Sequence, residues 1–462
     1  MNIRELRNSK KLSIQQFSRE IGLEEKRLKI IERGLDTPSK SELQTLKRFF
    51  KISKFSKQMP NGSPIIGEGY VTAINTDFKV YEPSIARSEN KPTVLDLFCG
   101  VGGISFGFEQ TNNFSTVAGL DILEDRINTF QLNHAHAFGF SFDINKIPAS
   151  DIQKYITYPP DVIVGGAPCQ GFSSIRPFRT LSQNDSRNNL FQTFASYINF
   201  FKPTWFVFEN VVGLLTHDSG NTLKSILSVL RSIGYSIDFR VLNSAYYGAP
   251  QLRERLIIIG NNKNIKFEWP APTHYFDYKS MAGKGNPAVL KPTDRASTIQ
   301  ATTVMDALSD LPHLNSGESS SEYLKKAKLT DYQKYLREGS KILMNHDATA
   351  HSPEMMEIIR QSGFNIESVR HLVTSGFSTS YSRLEPNKPS VTLTVNFVSP
   401  SSNKCIHPLQ DRALTPREGA RIQGFPDKFL FFGSRTQIVK QIGNAVPPIL
   451  SRVIADSIFK YY

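Results

Sequence analysis

From Thr93 to about Gly260, short apolar runs alternate with segments of helical period. Val94, Leu95 and Leu97 mark one strand, Ser115–Leu120 a second, Asp161–Val164 a third, and the run from Trp205 to Phe208 a fourth. Strands alternating with helices predict a parallel α/β sheet. Before Thr93 the period is different. Asn2–Lys10 predicts a short helix. Ser13 is placed to cap a second, with Ile14, Phe17 and Ile21 apolar at helical spacing, and Gly22 breaks it. A third helix runs from Glu24, with Leu28 and Ile31 inward, Lys26, Arg27 and Lys29 outward, and Gly34 as its C-cap; Ser41–Phe50 is a fourth. Residues 54–92 are rich in Ser, Pro, Gly and Asn and predict a linker or loosely packed arm. The pattern weakens again over 270–410 and becomes helical from Gln437 to Tyr462. The expected organisation is an all-α unit at 1–53, a linker at 54–92, an α/β domain at 93–269 completed by 437–462, and a smaller irregular domain with a hinge at 270–436.

The bulk numbers narrow this picture. A chain of 462 residues and 52.0 kDa suits two to four domains. A hydrophobic fraction of 39% with 21% charged residues is that of a folded protein, and no apolar run approaches the roughly 18 residues of a membrane span. Three cysteines, Cys99, Cys169 and Cys405, are too few for a disulfide framework and form no CxxC pair, so no metal site is expected. With no apolar leader after Met1, a reducing cytoplasm is the expected compartment, close to the nucleoid of a bacterium or archaeon. The net charge of +13 points to a polyanionic partner, nucleic acid before membrane. Residues 1–60 hold 15 Lys and Arg against 7 Asp and Glu, so eight of those thirteen charges fall there.

Two short helices joined at a glycine turn have helix-turn-helix geometry, in which the later helix enters the major groove. The stretch LSIQQFSREIGLEEKRLKIIERGLDTPSKSELQTLKRFFKIS resembles the Cro/C1-type helix-turn-helix family. That resemblance implies DNA binding, with Lys26, Arg27 and Lys29 toward the duplex. A small interaction bundle that touches no DNA is the alternative.

Candidate chemistry gathers at the ends of the apolar runs. TVLDLFCGVGGISFGFEQ (93–110) is strand, glycine turn and helix, and Gly100, Gly102 and Gly103 let backbone approach a ligand. Position 105 is Ser, so this is not the dinucleotide pattern G-x-G-x-x-G. Asp121 ends the second strand about 20 residues on, where an acid can reach ribose hydroxyls. Asp143 closes another short segment. GGAPCQGFS puts Cys169 just past a strand, where open α/β sheets place ligands. WFVFENVVGLL carries an apolar strand straight into Glu209, a carboxylate that burial makes costly without a partner. QLRERLIIIG sets Arg253 and Arg255 two apart, on one face as a strand begins. Each of these could instead be a structural ion pair.

Together these motifs resemble the DNA (cytosine-5) methyltransferases. The likeness covers residues 93 to about 260 and resumes at RLEPNKPSVTLT (383–394), RALTPREGARIQGFPDKF (412–429) and QIGNAVPPIL (441–450). It implies a Rossmann-like α/β domain dependent on S-adenosylmethionine and a smaller target-recognition domain. Phe98, Gly100, Val101, Gly102 and Gly103 would line the cofactor site. Asp121 and Ile122 would meet its ribose and adenine, Asp143 and Ile144 would flank the adenine, and Leu190 would add a contact. Asn444 and Val446 would close the pocket against Pro168. Cys169 would be the nucleophile, Glu209 would hydrogen-bond the cytosine ring, and Arg255, with Arg253 beside it, would hold its O2. Ser173, Arg187 and Thr392 would contact DNA, with 176–191 as a lid over it. The substrate would be double-stranded DNA with its target base flipped out. A cognate restriction endonuclease would be linked genetically, and residues 1–53 could act on the protein's own promoter. Relatives acting on transfer RNA carry Cys-Phe-Thr, whereas Cys405 is followed by Ile406, which favours DNA. A regulator with a degenerate catalytic fold would have lost the thiol, the acid or the glycine loop, and none is lost. An unrelated thiol enzyme would need a histidine partner, and none lies within about 30 residues of Cys169.

Overall fold

The computed structural model describes residues 7, 10, 12–25, 28, 40–50, 71–75, 78–87, 90–167, 189–325 and 327–462. Its centre is a sheet of nine described strands in the order β1-β2-β5-β4-β3-β6-β7-β9-β8. These are β1 (Val71–Asn75), β2 (Phe78–Tyr81), β3 (Thr93–Leu97), β4 (Ser115–Asp121), β5 (Phe138–Ser141), β6 (Val162–Gly165), β7 (Trp205–Val211), β8 (Ser236–Asn243) and β9 (Glu254–Asn261). The run from β5 through β4, β3 and β6 to β7 is parallel. Alternate residues serve the two faces, as strand geometry requires. Phe206 and Phe208 of β7 join the core under the helices Asn189–Phe201 and Asn221–Ser232. Trp205 and Val207 join the opposite core with Ile104, Phe108, Leu450 and Ile454. With both faces covered, β3 is buried along its whole length, which is why it reads as one apolar run.

The helix Pro448–Phe459 belongs to that second core. It packs so closely on the helix Gly103–Glu109 that a Cβ at Gly107 would lie 2.3 Å from Ser451 Oγ. Ser451 Oγ also donates to the Gly103 carbonyl at 3.1 Å.

The expected linker, 54–92, needs correction over 71–81. There β1 pairs antiparallel with β2, and β2 pairs antiparallel with β5, extending the sheet at that edge. The reason is period-2 patterning inside FKVY. Phe78 and Val80 enter the core, with Phe78 stacked on Phe140 at 6.1 Å. Lys79 and Tyr81 point out to Glu124, at 2.6 and 2.7 Å.

In the N-terminal unit, Ser13 caps the helix Ile14–Ile21 in a capping box with Gln16, and Gly22 ends it with φ 68°. Phe17, Ile21, Leu28 and Leu46 form a small core that includes the helix Lys40–Phe50. The third expected helix, with Lys26, Arg27 and Lys29, lies largely outside the described residues.

Residues 270–436 hold two-residue and three-residue strands and short helices around a separate apolar cluster. Its unusual content is buried arginine. Thr415 caps the helix Pro416–Ile422, every residue of which is buried. Arg412 forks onto Glu418 at 2.8 and 2.7 Å. Arg421 bridges Asp310 and Asp427, its Nε 2.9 Å from Asp427, with all three side chains fully buried. Arg417 spends its donors on the carbonyls of Met344, Pro426 and Phe429. Charges this deep are tolerated only where every donor finds an acceptor. Among the described residues no helix is long and apolar enough to cross a membrane.

Candidate active site

The strand order reverses between β3 and β6, and ligands of open α/β sheets bind in the crevice at such a point, beyond the strands' C-terminal ends. β3 and β6 are paired so that Leu97 lies opposite Gly165. Leaving β3, the chain turns through left-handed backbone at Phe98 (φ 58°), Gly100 (φ 54°) and Gly102 (φ 83°). A non-glycine residue in that region is strained, and Phe98 is held there by the structure around it. Asp121, expected at a ribose, gives both carboxylate oxygens to backbone. It accepts from Gly100 N–H at 3.0 Å and from Leu123 N–H at 2.9 Å, binding the loops after β3 and β4 together. Burial raises its pKa against those two donors. The next residue, Ile122, is 63% exposed, an apolar side chain standing at the mouth of the crevice. A Cβ added at Gly100 would meet nothing within 4 Å, so the loop opens onto free space. A Cβ at Gly103 would stand 2.5 Å from the Val446 carbonyl, so the tail walls the other side. Val101 is buried, Asn444 exposed and Val446 partly buried. Asp143 turns its own loop, accepting from the N–H of Asn145 at 3.1 Å, while Ile144 is buried in the core and Leu190 packs against the same core. The left-handed glycine loop and the open space beside Gly100 leave room for a ligand at the switch point.

On the other side of β6 stands Glu209, at the end of β7. Its Oε1 is 2.7 Å from Arg255 Nε, with both side chains nearly buried. A Cβ at Gly166 would lie 2.8 Å from Glu209 Oε2, so a side chain there would make the carboxylate shift. Glu209 therefore lies against the backbone three residues before Cys169 in sequence. Burial weakens Arg255's hold on its proton and the Glu209 charge strengthens it.

Arg253 immediately precedes β9, which begins at Glu254, and its guanidinium feels the charges of both Arg255 and Glu209. Arg253 is buried and donates to the Leu393 carbonyl at 3.0 Å and the Gly443 carbonyl at 3.1 Å. It ties the main domain to residues 392–393 and to the helix Arg435–Asn444. Thr392 is part of that seam, its Oγ1 donating to the Leu252 carbonyl at 2.7 Å. The sequence reading missed Gln251, fully buried, which accepts from Leu393 N–H at 2.9 Å and contacts Gln423 at 2.6 Å. It also missed Asp96, whose one signal is an acid inside an apolar run. Asp96 is fully buried and accepts from Ser105 Oγ at 2.7 Å, and burial pushes its pKa up to about 7. Pro168, Cys169, Ser173 and Arg187 lie outside the described residues.

Comparison with known proteins agrees with this geometry. Residues 92–460 match the family described as C-5 cytosine-specific DNA methylase. The type II methyltransferase M1.HphI of Haemophilus parahaemolyticus is 32% identical over 375 residues, 80% of this chain and 87% of that protein. M.DdeI of Desulfomicrobium norvegicum is 32% identical over 398 residues, 80% of this chain and 89% of its own. A prophage-encoded protein of E. coli, described as a DNA modification methyltransferase, has a crystal structure that superposes with a TM-score of 0.62. It is 28% identical, and the match covers 80% of this chain and 99% of that one. A DNMT2 of Spodoptera frugiperda, 15% identical with a TM-score of 0.51, shares the fold. The glycine loop at a sheet's switch point is thus that of a methyltransferase. The chain belongs to the C-5 cytosine-specific DNA methylase family. It is a DNA (cytosine-5)-methyltransferase, and S-adenosylmethionine is its methyl donor.

Gly103→Ala tests the cofactor wall. The new methyl meets backbone, at the Val446 carbonyl, so the tail must shift. Overpacking of this kind costs about 1–3 kcal/mol. The expected outcome is a lower melting temperature together with weaker S-adenosylmethionine binding, read by calorimetry and equilibrium dialysis.

Proposed function

We propose that the protein methylates C5 of a cytosine turned out of a specific duplex sequence, through a covalent bond between Cys169 and C6. The observation that supports this most is the Glu209–Arg255 pair set against Gly166, beside the glycine loop. C5 of cytosine is a poor nucleophile. A thiolate adding to C6 breaks the ring's conjugation and turns C5 into an enamine-like carbon. Thiols need less activation than hydroxyls for such an attack, which makes Cys169 the natural nucleophile. S-adenosylmethionine supplies an electrophilic methyl group. Glu209 holds N3 and the exocyclic amine as charge develops there, and Arg255 orients Glu209 and reaches O2. Loss of the C5 proton then expels the Cys169 thiolate and restores the aromatic ring. Inside a duplex neither face of the ring is accessible, so the base must leave the stack. Arg253 acts from behind, as a positioning residue for the seam between the domains.

The type II names of the relatives support a role as the modification enzyme of a restriction system, with a linked endonuclease. The N-terminal unit is read as a helix-turn-helix domain that binds a second DNA sequence, the protein's own promoter. Its basic charge and the capped helix Ile14–Ile21 support that reading.

Cys169→Ser is expected to abolish methyl transfer and keep DNA binding, measured by radiolabel incorporation and gel shift. Wild-type protein should form a denaturant-resistant adduct with DNA carrying 5-fluorocytosine, because the fluorine cannot leave as a proton does. Near-normal turnover by the serine variant would overturn the assignment.

Glu209→Gln keeps an acceptor for Arg255 and removes the charge. Single-turnover rates should fall by about two to four orders of magnitude, the scale of acid–base groups, with little change in cofactor affinity. A variant that melts much lower but reacts at the normal rate would make Glu209 purely structural.

Deletion of residues 1–60 should leave target methylation intact and abolish footprinting on the upstream region. Loss of target methylation in a well-folded truncation would assign the unit to substrate recognition.

A further inference from the structure

Glu109, His134 and His136 come together at the N-terminal ends of β4 and β5, the edge of the sheet opposite the catalytic crevice. Glu109 ends the helix that follows the glycine loop, and the two histidines lie between the helix Glu124–Asn133 and β5. His134 Nδ1 is 2.9 Å from Glu109 Oε2, and His136 Nε2 is 2.7 Å from Glu109 Oε1. The three donor atoms all lie within 4.8 Å of one another. The carboxylate therefore offers a different oxygen to each imidazole.

Their surroundings are those of a built site. The second nitrogen of His134 lies 3.5 Å from Ser105 Oγ, which donates to the buried Asp96 at 2.7 Å. The ring is stacked on Phe130, with centroids 4.5 Å apart. Gly102 makes room for it, since a Cβ there would stand 2.7 Å from His134 Nε2. A histidine stacked on one side, with a hydroxyl at its far nitrogen, has its ring orientation restricted, as metal-ligating histidines do. Glu109 Oε1 is fixed in turn by the Thr116 N–H at 2.9 Å. Access is available too. His134 is fully buried, but the side chains of Glu109 and His136 are 17% and 20% exposed. His136 lines a cavity of about 230 Å³ with Pro83, Thr93, Tyr155 and Tyr158.

We propose that Glu109, His134 and His136 bind one divalent transition-metal ion of the zinc class. Two imidazole nitrogens and one carboxylate oxygen, with a position left for water, are a borderline donor set that suits zinc, cobalt or nickel rather than magnesium or calcium. Ligands about 2.0–2.1 Å from a tetrahedral ion stand roughly 3.3 Å apart, so each imidazole nitrogen must draw back from the carboxylate oxygen it now meets, and one Glu109 oxygen must serve both rings. Binding needs the lone pair of each ring nitrogen that faces Glu109, so a proton held there moves to the ring's other nitrogen or to solvent. Because His134 packs under Gly102, the ion would brace the cofactor loop from below.

The test uses full-length protein, stripped with a chelator and titrated with cobalt(II) chloride. The expected result is one equivalent bound, with visible d–d absorption of a low-coordinate ion that zinc bleaches. In His136→Ala and His136→Gln, at a partly exposed position, affinity should fall more than about tenfold with the melting curve retained. His313→Ala, an exposed histidine elsewhere, should bind as wild type does. Absence of stoichiometric cobalt binding overturns the proposal and leaves a hydrogen-bonded cluster. So does binding that survives in both His136 variants.

Discussion

The contact between Glu209 and Arg255 sets the terms for the rest of the site. An ionised carboxylate at the end of a covered strand costs several kcal/mol unless a partner and a close polar surface receive it. β9 supplies the partner by running antiparallel to β7, which puts Arg255 opposite Val211 and within reach of Glu209. Gly166 supplies the surface, because a Cβ there would press on Glu209 Oε2 and make the carboxylate shift. The antiparallel strand in an otherwise parallel region and the glycine pair before Pro168 are thus two parts of one solution. They hold a charge still, in nearly dry surroundings, beside the strand that leads to the thiol.

The main sheet was legible because its strands are covered on both faces. Continuous burial leaves continuous apolar runs, and β3, β6 and β7 could be read directly. Strand β2, between β1 and β5, was not, since four residues inside a polar stretch carry too short a pattern to stand out. Arg253 was readable as a companion of Arg255, but its carbonyl partners at Leu393 and Gly443 were not, because they come from distant segments. The region 270–436 resisted reading because its interior is cross-linked by Arg412, Arg417 and Arg421, residue types that patterning assigns to solvent.

The candidate site was legible as a set of residues and not as a set of contacts. Asp121 illustrates this. Its place at the end of β4 was readable, but its use as a clamp on two backbone amides was not, because the partners belong to turns. Gln251 and Asp96 carried almost no signal, being single polar residues whose partners come from distant segments. The same holds for Glu109, His134 and His136, where a helix end and a strand approach converge on a spacing no linear motif displays.

The seating of Val446 against Gly103, and of Ser451 against the helix that follows, has a bearing on how the protein is made. The cofactor wall joins one of the first residues of the α/β domain to some of the last. Contacts of such high sequence separation form late, after the loop entropy between them has been overcome. A chain cut before Val446 keeps every earlier motif of the α/β domain and lacks the contacts that brace Gly103 and the helix after it, so the wall of that loop is supplied across more than 340 residues of intervening sequence.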